Sequence, residues 1–330
     1  AGLLGPGNDE PARLLLVAHH LVVDAVSWGI IVDDLKEALA RSRSGAAPDV
    51  APGGSYADWV RGLERHARSD ALALEVPHWS ALSRDFVPLP RDEVHGDNSV
   101  EKERVVTATL NEERTQALLL AAHEAYGTRV LDLLLTAFAR TLCGWSGRPS
   151  FTFDLEGHGR EPHIADVETT RMVGWLTAVW PVRRHAPGGA STGLRDTIMS
   201  VKEQLRAVPG GGIGFGLLRD LSGDDVVRAT LNRVPPREVL FNYLGHQGDD
   251  GASVFERGDA GPCRSSLGRR AYLLEVNVAV DRGHLAVRWS YGSGLHRSET
   301  IDRVAQQYLR ELEALVEHCL APDAGGATPS

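Results

Sequence analysis

Two successive histidines, His19 and His20, with Asp24 four positions after the second and Ser27 and Trp28 beyond, form the first concentration of reactive side chains in the chain. Imidazole is the side chain whose ordinary pKa lies nearest neutral pH, so a histidine facing a cavity can accept or donate a proton. The uninterrupted apolar run at residues 14–18 reads as a buried strand leading into the pair. Neighbours on a strand point to opposite faces, so one histidine is expected to face packing and the other a cavity. A lone histidine is more often a core group with its hydrogen bonds satisfied. The pairing, the fixed Asp24 and a second constellation far along the chain weigh against that reading here.

That second constellation is Glu156-Gly157-His158-Gly159-Arg160-Glu161, which directly follows the apolar segment at residues 151–153. It is dense in ionisable groups and set between glycines that permit tight turns or close approach of a ligand. Glu156 sits at a strand end, where side chains commonly line sites. Opposite His20 it would complete an acid/base pair on two sides of a substrate carbon. A carboxylate beside Arg160 can equally be salt-bridged and inert, and Glu161 is the one for which that is expected as often as not. Other chemistries fit less well. There is no Gly-x-Ser-x-Gly elbow for a serine nucleophile. Zinc held by His19, His20 and Asp24 is disfavoured because adjacent strand residues diverge. The glycine-rich residues 209–216 lack the preceding strand and the Gly-Lys-Ser/Thr ending of a phosphate loop, and suit a backbone passing close to a channel.

The elements that must position these groups alternate between helix and strand. After Asp24 a helix carries Trp28, Ile31, Leu35 and Leu39, closed by Arg41, Arg43 and Gly45. Ser55 is a predicted N-cap for a second helix with Tyr56, Trp59, Val60 and Leu63 on one face, and a short helical piece reaches Trp79. The Pro/Gly-rich residues 86–98 make the best lobe boundary. Beyond it the pattern predicts a strand at 103–110, a helix capped by Asn111, and an apolar core helix at 131–145. Residues 173–182 read as strand or loop and residues 194–207 as an amphipathic helix. A strand is predicted at 239–244, and a hairpin at 273–280 and 285–291 around Asp281-Arg282-Gly283. A long amphipathic helix spans 299–320. The pattern places residues 1–90 in an N-terminal lobe, 91–320 in a C-terminal lobe, and 321–330 in a tail or linker.

With 330 residues, 42% hydrophobic and 24% charged, the chain has material for two lobes of an ordinary soluble protein. Its net charge of −9 and the lack of a basic cluster argue against a nucleic-acid partner. No apolar run approaches a membrane span. Cys143, Cys263 and Cys319 are odd in number and widely separated, which suits neither a disulfide framework nor a zinc site and fits a reducing cytoplasm.

At this point the residues resemble the epimerization domains of nonribosomal peptide synthetases, in the condensation-domain superfamily. His19 to Trp28 matches their His-His-x-x-x-Asp-x-x-Ser-Trp signature. Asp132-Leu133-Leu134-Leu135-Thr136-Ala137 matches Asp-x-Leu-Leu-x-Ala, and residues 156–161 are the whole Glu-Gly-His-Gly-Arg-Glu element. Residues 171–177 with Trp180-Pro181-Val182, residues 209–216, and Phe241-Asn242-Tyr243-Leu244-Gly245 match three further motifs in the same order.

The resemblance implies an α/β fold of two lobes like chloramphenicol acetyltransferase, with a substrate tunnel between them. It implies L-to-D inversion at Cα of an aminoacyl or peptidyl group, held as a thioester on the phosphopantetheine of an upstream carrier domain. A downstream condensation domain fits the same setting. His20 and Glu156 are the implied acid/base pair and Asp24 a structural residue. Asn242 and Tyr243 line the pocket near the enolate, while His19, Ser27, Trp28, His158, Arg160 and Trp175 support it. No cofactor or metal of its own is implied, because the thioester acidifies Cα and preorganised donors stabilise the enolate. Ala25 replaces the usual glycine, Gly29 the usual arginine and His246 the usual glutamine, with milder changes at Met172 and Trp180. The family also places more of the first lobe ahead of the histidines, so that lobe is expected to be incomplete here and its core exposed. A condensation domain and a noncatalytic partner-recruiting module are the rival readings. Ser27, Trp28 and residues 156–161 and 241–245 speak against the first, and an intact His20 against the second.

Overall fold

In the computed structural model, residues 1–5, 13–82, 86–161, 164–185, 193–246, 261, 264–322 and 324–325 are described. They divide into two units. The first contains Ala1–His66, His158–Thr177 and Gly251–Ser265, and the second Ala67–Gly157, Ala178–Asp250 and Ser266–Ser330. The boundary thus falls after His66 instead of at residue 90, and the chain re-enters the first unit at His158. The reason lies in Trp79, which is fully buried, meets the Phe215 ring at 5.5 Å and hydrogen-bonds Glu75. That packing ties residues 67–82 to the second unit.

In the first unit β1 (Gly2–Leu4) pairs antiparallel with β2 (Arg13–Leu15). This second strand is exposed along its length, and Val17 is 76% exposed, so the buried strand predicted at residues 14–18 is corrected. A two-stranded ladder gives an apolar run no second layer to bury against. The histidines follow in a 3-10 turn, His20–Val22, capped by His19. They therefore do not alternate on a strand. Helix α1 (Ala25–Arg43) starts at Asp24, whose carboxylate accepts the Ser27 N–H at 2.8 Å, and ends in basic residues before Gly45 at φ 77°. Helix α2 (Tyr56–His66) buries Trp59 and Gly62. A Cβ on Gly62 would lie 2.3 Å from that of Ala165, so the glycine lets the returning segment touch the helix.

The second unit opens with two short helices, α3 (Asp70–Ala73) and α4 (Val76–Ala81). Its centre is a six-stranded sheet of β3 (Glu103–Leu110), β4 (Ser150–Gly157), β5 (Ala178–His185), β6 (Val239–His246), β7 (Leu274–Asp281) and β8 (His284–Gly292). The strand order is β3-β8-β7-β6-β4-β5, with β4–β6 and β6–β7 parallel and the other pairs antiparallel. Helices α5 (Glu112–Leu120), α6 (Val130–Ser146) and α7 (Leu194–Arg206) follow the predicted segments. Every residue of α6 from Asp132 to Cys143 is buried. Asp132 accepts the Arg129 N–H at 2.7 Å, so the first residue of that motif closes the start of the core helix. Helices α8 (Ile213–Gly216) and α9 (Asp225–Leu231) precede β6, and α10 (Ser298–Leu320) closes the unit.

Phe138 of α6 marks where the core sits. Its ring meets Phe153 of β4, Phe241 of β6, Trp289 of β8 and Tyr308 of α10, with centroids 4.7–6.2 Å apart. One sheet face is thus apolar and packed by helices, which leaves the alternate residues of each strand on the other face. The β7–β8 turn has positive φ at both Arg282 (46°) and Gly283 (78°), as a two-residue hairpin requires. Cys143 and Cys319 are buried free thiols, burial pushing Cys319 up to about 11, while Cys263 lies outside the described residues. No described helix is long and apolar enough to cross a membrane.

Candidate functional site

In the first unit the candidate residues are organised by Asp24. Arg160 reaches its carboxylate in bidentate fashion, Nη1 to Oδ2 and Nη2 to Oδ1 at 2.9 Å each, across 136 residues of sequence. The Ser27 hydroxyl donates to Asp24 Oδ1 at 2.7 Å, and the Leu176 N–H donates to Oδ2 at 3.1 Å. Arg160 Nη2 also donates to Ser27 Oγ and to the Met172 carbonyl, each at 3.1 Å. Ser27 Oγ lies within hydrogen-bond distance of both the Gly174 carbonyl and its N–H. Burial by itself would raise the Asp24 carboxyl, but donors from Arg160, Ser27 and Leu176 hold it below the ordinary value. Asp24 is 2% exposed, Ser27 0% and Arg160 8%, so the network is dry and the charges are paired.

This network ties the end of the histidine turn to residues 158–176. The turn closes through Val22 N–H to the His19 carbonyl and Val23 N–H to that of His20, immediately before Asp24. His19 Nδ1 accepts the Leu21 N–H at 3.1 Å, so this histidine caps its own turn. His20 is exposed, and its ring lies 5.7 Å from that of Trp175. Trp175 is 44% exposed, and its carbonyl accepts the Tyr56 hydroxyl at 3.1 Å. Trp28 is half-buried on α1. His158 Nδ1 accepts the Arg160 N–H at 3.0 Å, fixing the bend between the two residues. The carboxylate that Arg160 engages is therefore Asp24, a partner that no local spacing reveals.

Glu156 belongs to the second unit. It stands on β4 instead of just beyond it, because the strand runs on to Gly157. The parallel register with β6 sets Glu156 beside Asn242, whose Nδ2 donates to Glu156 Oε1 at 2.8 Å. Tyr243, the next residue of β6, alternates to the face of Phe241. There it shares a cavity of about 530 Å³ with Thr115, Gln116, Leu119, Val130 and His246, and burial raises its hydroxyl. Asn242 and Tyr243 thus leave opposite faces of β6. Adjacent residues of a straight strand do not share a face.

Two functional candidates went unnoticed in the sequence, Asp154 and Tyr272. Asp154 precedes Glu156 by two positions and so shares its face, and the Tyr272 hydroxyl donates to Asp154 Oδ2 at 2.9 Å. The available signal was a second acidic residue on the polar-facing alternation of β4, in period with Glu156. Among the described residues no group of three or more His, Cys, Asp or Glu side chains gathers where a metal could be held.

In the glycine-rich residues 209–216, the glycines admit the Trp180 indole and the Glu75 carboxylate. A Cβ on Gly212, at φ 93°, would lie 2.0 Å from Trp180, and one on Gly157 would lie 2.7 Å from the same indole. A Cβ on Gly214 would fall 2.0 Å from the Glu75 carboxylate. Trp180 is thus wedged between the end of the Glu156 strand and this turn. Gly212→Ala is expected to destabilise the protein by about 1–3 kcal/mol. Gly216→Ala, with a helical φ of −63° and open space around its Cβ, should change stability little. Urea midpoints of the two variants check this.

Sheet order and motif placement together define a class. The family model for the condensation domain matches residues 7–329, and the chain belongs to that family. Within it, the chain is similar to the epimerization domain from the third module of tyrocidine synthetase B. That structure is 32% identical with a TM-score of 0.85, over 92% of this chain and 68% of that one. A linear gramicidin synthase of Brevibacillus parabrevis is 38% identical over 98% of this chain. Chondramide synthase cmdD of Chondromyces crocatus is likewise 38% identical over 98%. The chain spans 6% and 8% of the lengths of those two relatives. The first condensation domain of the calcium-dependent antibiotic synthetase shares the fold, with a TM-score of 0.66 at 18% identity over 92% of this chain and 64% of that one.

Proposed function

We propose that the chain is an epimerization domain of a nonribosomal peptide synthetase. It inverts Cα of an aminoacyl or peptidyl group bound as a phosphopantetheine thioester to a carrier domain. The observation that carries this reading is Glu156: a carboxylate held on β4 by the Asn242 amide, in a chain that also presents His20 on an anchored turn. Condensation by itself calls for no second base of this kind. The likeness to an epimerization domain at 32% identity, against 18% for a condensation domain, supports the same choice.

In this mechanism one of His20 and Glu156 removes the α-proton, and the other returns one to the opposite face. The thioester acidifies Cα. The Asn242 amide, already turned to Glu156, keeps that carboxylate in one rotamer. His20 lies beside the Trp175 ring. Asp24, Ser27 and Arg160 act through the histidine turn and do not meet the substrate.

Incubation in D₂O with a carrier domain loaded in turn with L-aminoacyl thioesters tests the reading. Deuterium at Cα and D-configured product are expected. A second carrier loaded with an amine acceptor provides the alternative outcome that family membership suggests. Peptide-bond formation without α-deuteration would establish a condensation domain.

A further inference from the structure

Asp154 and Glu156 rise from one face of β4, about 7 Å apart along the strand. Each is held by a neighbour from another element: Glu156 by Asn242 of β6, and Asp154 by the hydroxyl of Tyr272, which lies just before β7. Arg237 and Arg219 are the cations that act on Asp154, and both favour its charged form. Burial outweighs them and raises the Asp154 carboxyl above the ordinary aspartate value. The Tyr272 hydroxyl is pushed far upward by burial, then by the negative charges of Asp154, Glu156 and Glu275, so it remains a proton donor at all working pH values. The two carboxylates stand close enough on one strand face for the charge of one to bear on the other.

We propose that Asp154, oriented by Tyr272, is a positioning residue for Glu156. Its charge sets the proton affinity of Glu156, and with it the pH range over which Glu156 can act as a base. Two like charges about 7 Å apart in a partly buried setting repel enough to move a titration by about one pH unit. When Asp154 is charged, Glu156 binds its proton more tightly and is a stronger base. When Asp154 takes up a proton on acidification, that support is withdrawn. The Tyr272 hydrogen bond favours the charged form of Asp154, so it keeps Glu156 basic to lower pH.

Carboxyl ¹³C NMR of the 330-residue chain labelled at glutamate Cδ reads the Glu156 titration directly, with its signal assigned by loss in Glu156→Gln. Asp154→Asn keeps an oxygen to accept from Tyr272 and removes the charge. It should lower the Glu156 midpoint by about one pH unit. Tyr272→Phe should move the midpoint in the same direction by less. The acid limb of α-deuterium incorporation should shift down in parallel, and this activity arm alone rests on the proposed epimerization. An unmoved Glu156 midpoint in either variant with a native circular dichroism spectrum overturns the inference. A wild type that titrates as described but exchanges no α-proton overturns the functional reading and leaves the coupling standing. If Asp154→Asn does not fold, Tyr272→Phe decides.

Discussion

Glu156→Gln will reduce α-proton exchange on carrier-bound substrate by about 10²–10⁴-fold, the usual contribution of a placed acid or base. The substitution is nearly isosteric, and its amide oxygen can still accept from Asn242 Nδ2. The parallel pairing of Glu156 with Asn242 is a backbone register that the side chain does not create. Thermal stability should therefore be unchanged and the loss should appear in turnover, with thioester loading intact. His20→Ala should act in the same range, because the imidazole sits on a turn whose hydrogen bonds are backbone groups and His19. If the two residues act as a unit on one carbon, the double variant will cost little more than the worse single variant. Losses that multiply would show that the two residues act independently, and a Glu156→Gln enzyme with wild-type exchange would show that Glu156 is not part of the proton transfer.

Arg160→Met will destabilise the first unit by about 3–5 kcal/mol, since it leaves the Asp24 carboxylate buried without its cation. Four of the donors around Asp24 and Ser27 come from residues 160–176, and losing Arg160 removes two of them, leaving the Gly174 and Leu176 N–H groups to hold that segment to α1. The pH dependence has a definite sign. The Asp24 carboxyl is held below its ordinary value in the folded protein, so its stabilisation is complete above the unfolded pKa of about 3.9. It declines as pH falls from there through the lower folded value. Wild type should lose stability over that acid range, and Asp24→Asn should show a flatter profile at lower overall stability. Guanidinium unfolding at pH 7 and at pH values below about 4 measures both. An Arg160→Met variant as stable as wild type at neutral pH would show that the dry network is not what holds the turn.

The hairpin, the long C-terminal helix and the buried central helix were all legible in the amino-acid order. Each depends on local rules: a positive-φ Arg-Gly turn, a 3.6-residue apolar stripe, and an apolar run long enough to lie inside a layer. The strand before the histidines was legible as a strand, at Arg13–Leu15, but its exposure was not. An apolar run says that burial is favourable but not whether a second layer is present, and β2 is exposed beside a single partner strand. Loop composition at residues 86–98 marks a turn, whereas the burial of Trp79 against Phe215 decides to which unit the preceding helices belong.

For the candidate site the division is equally physical. The chain order alone determined the residue types: two histidines ahead of Asp24, Glu156 inside a glycine-bracketed acidic and basic element, and Asn242 in an apolar strand. It could not determine which of these meet. Asp24 and Arg160 are 136 residues apart, and Glu156 and Asn242 are 86 apart. Their contacts follow from a returning segment and from the parallel β4–β6 register. Asp154 and Tyr272 illustrate the same limit, being 118 residues apart and joined by one hydrogen bond. Sequence chooses the groups that can move a proton. Tertiary structure decides which charges each of them feels, because electrostatic coupling depends on distance through space and not along the chain.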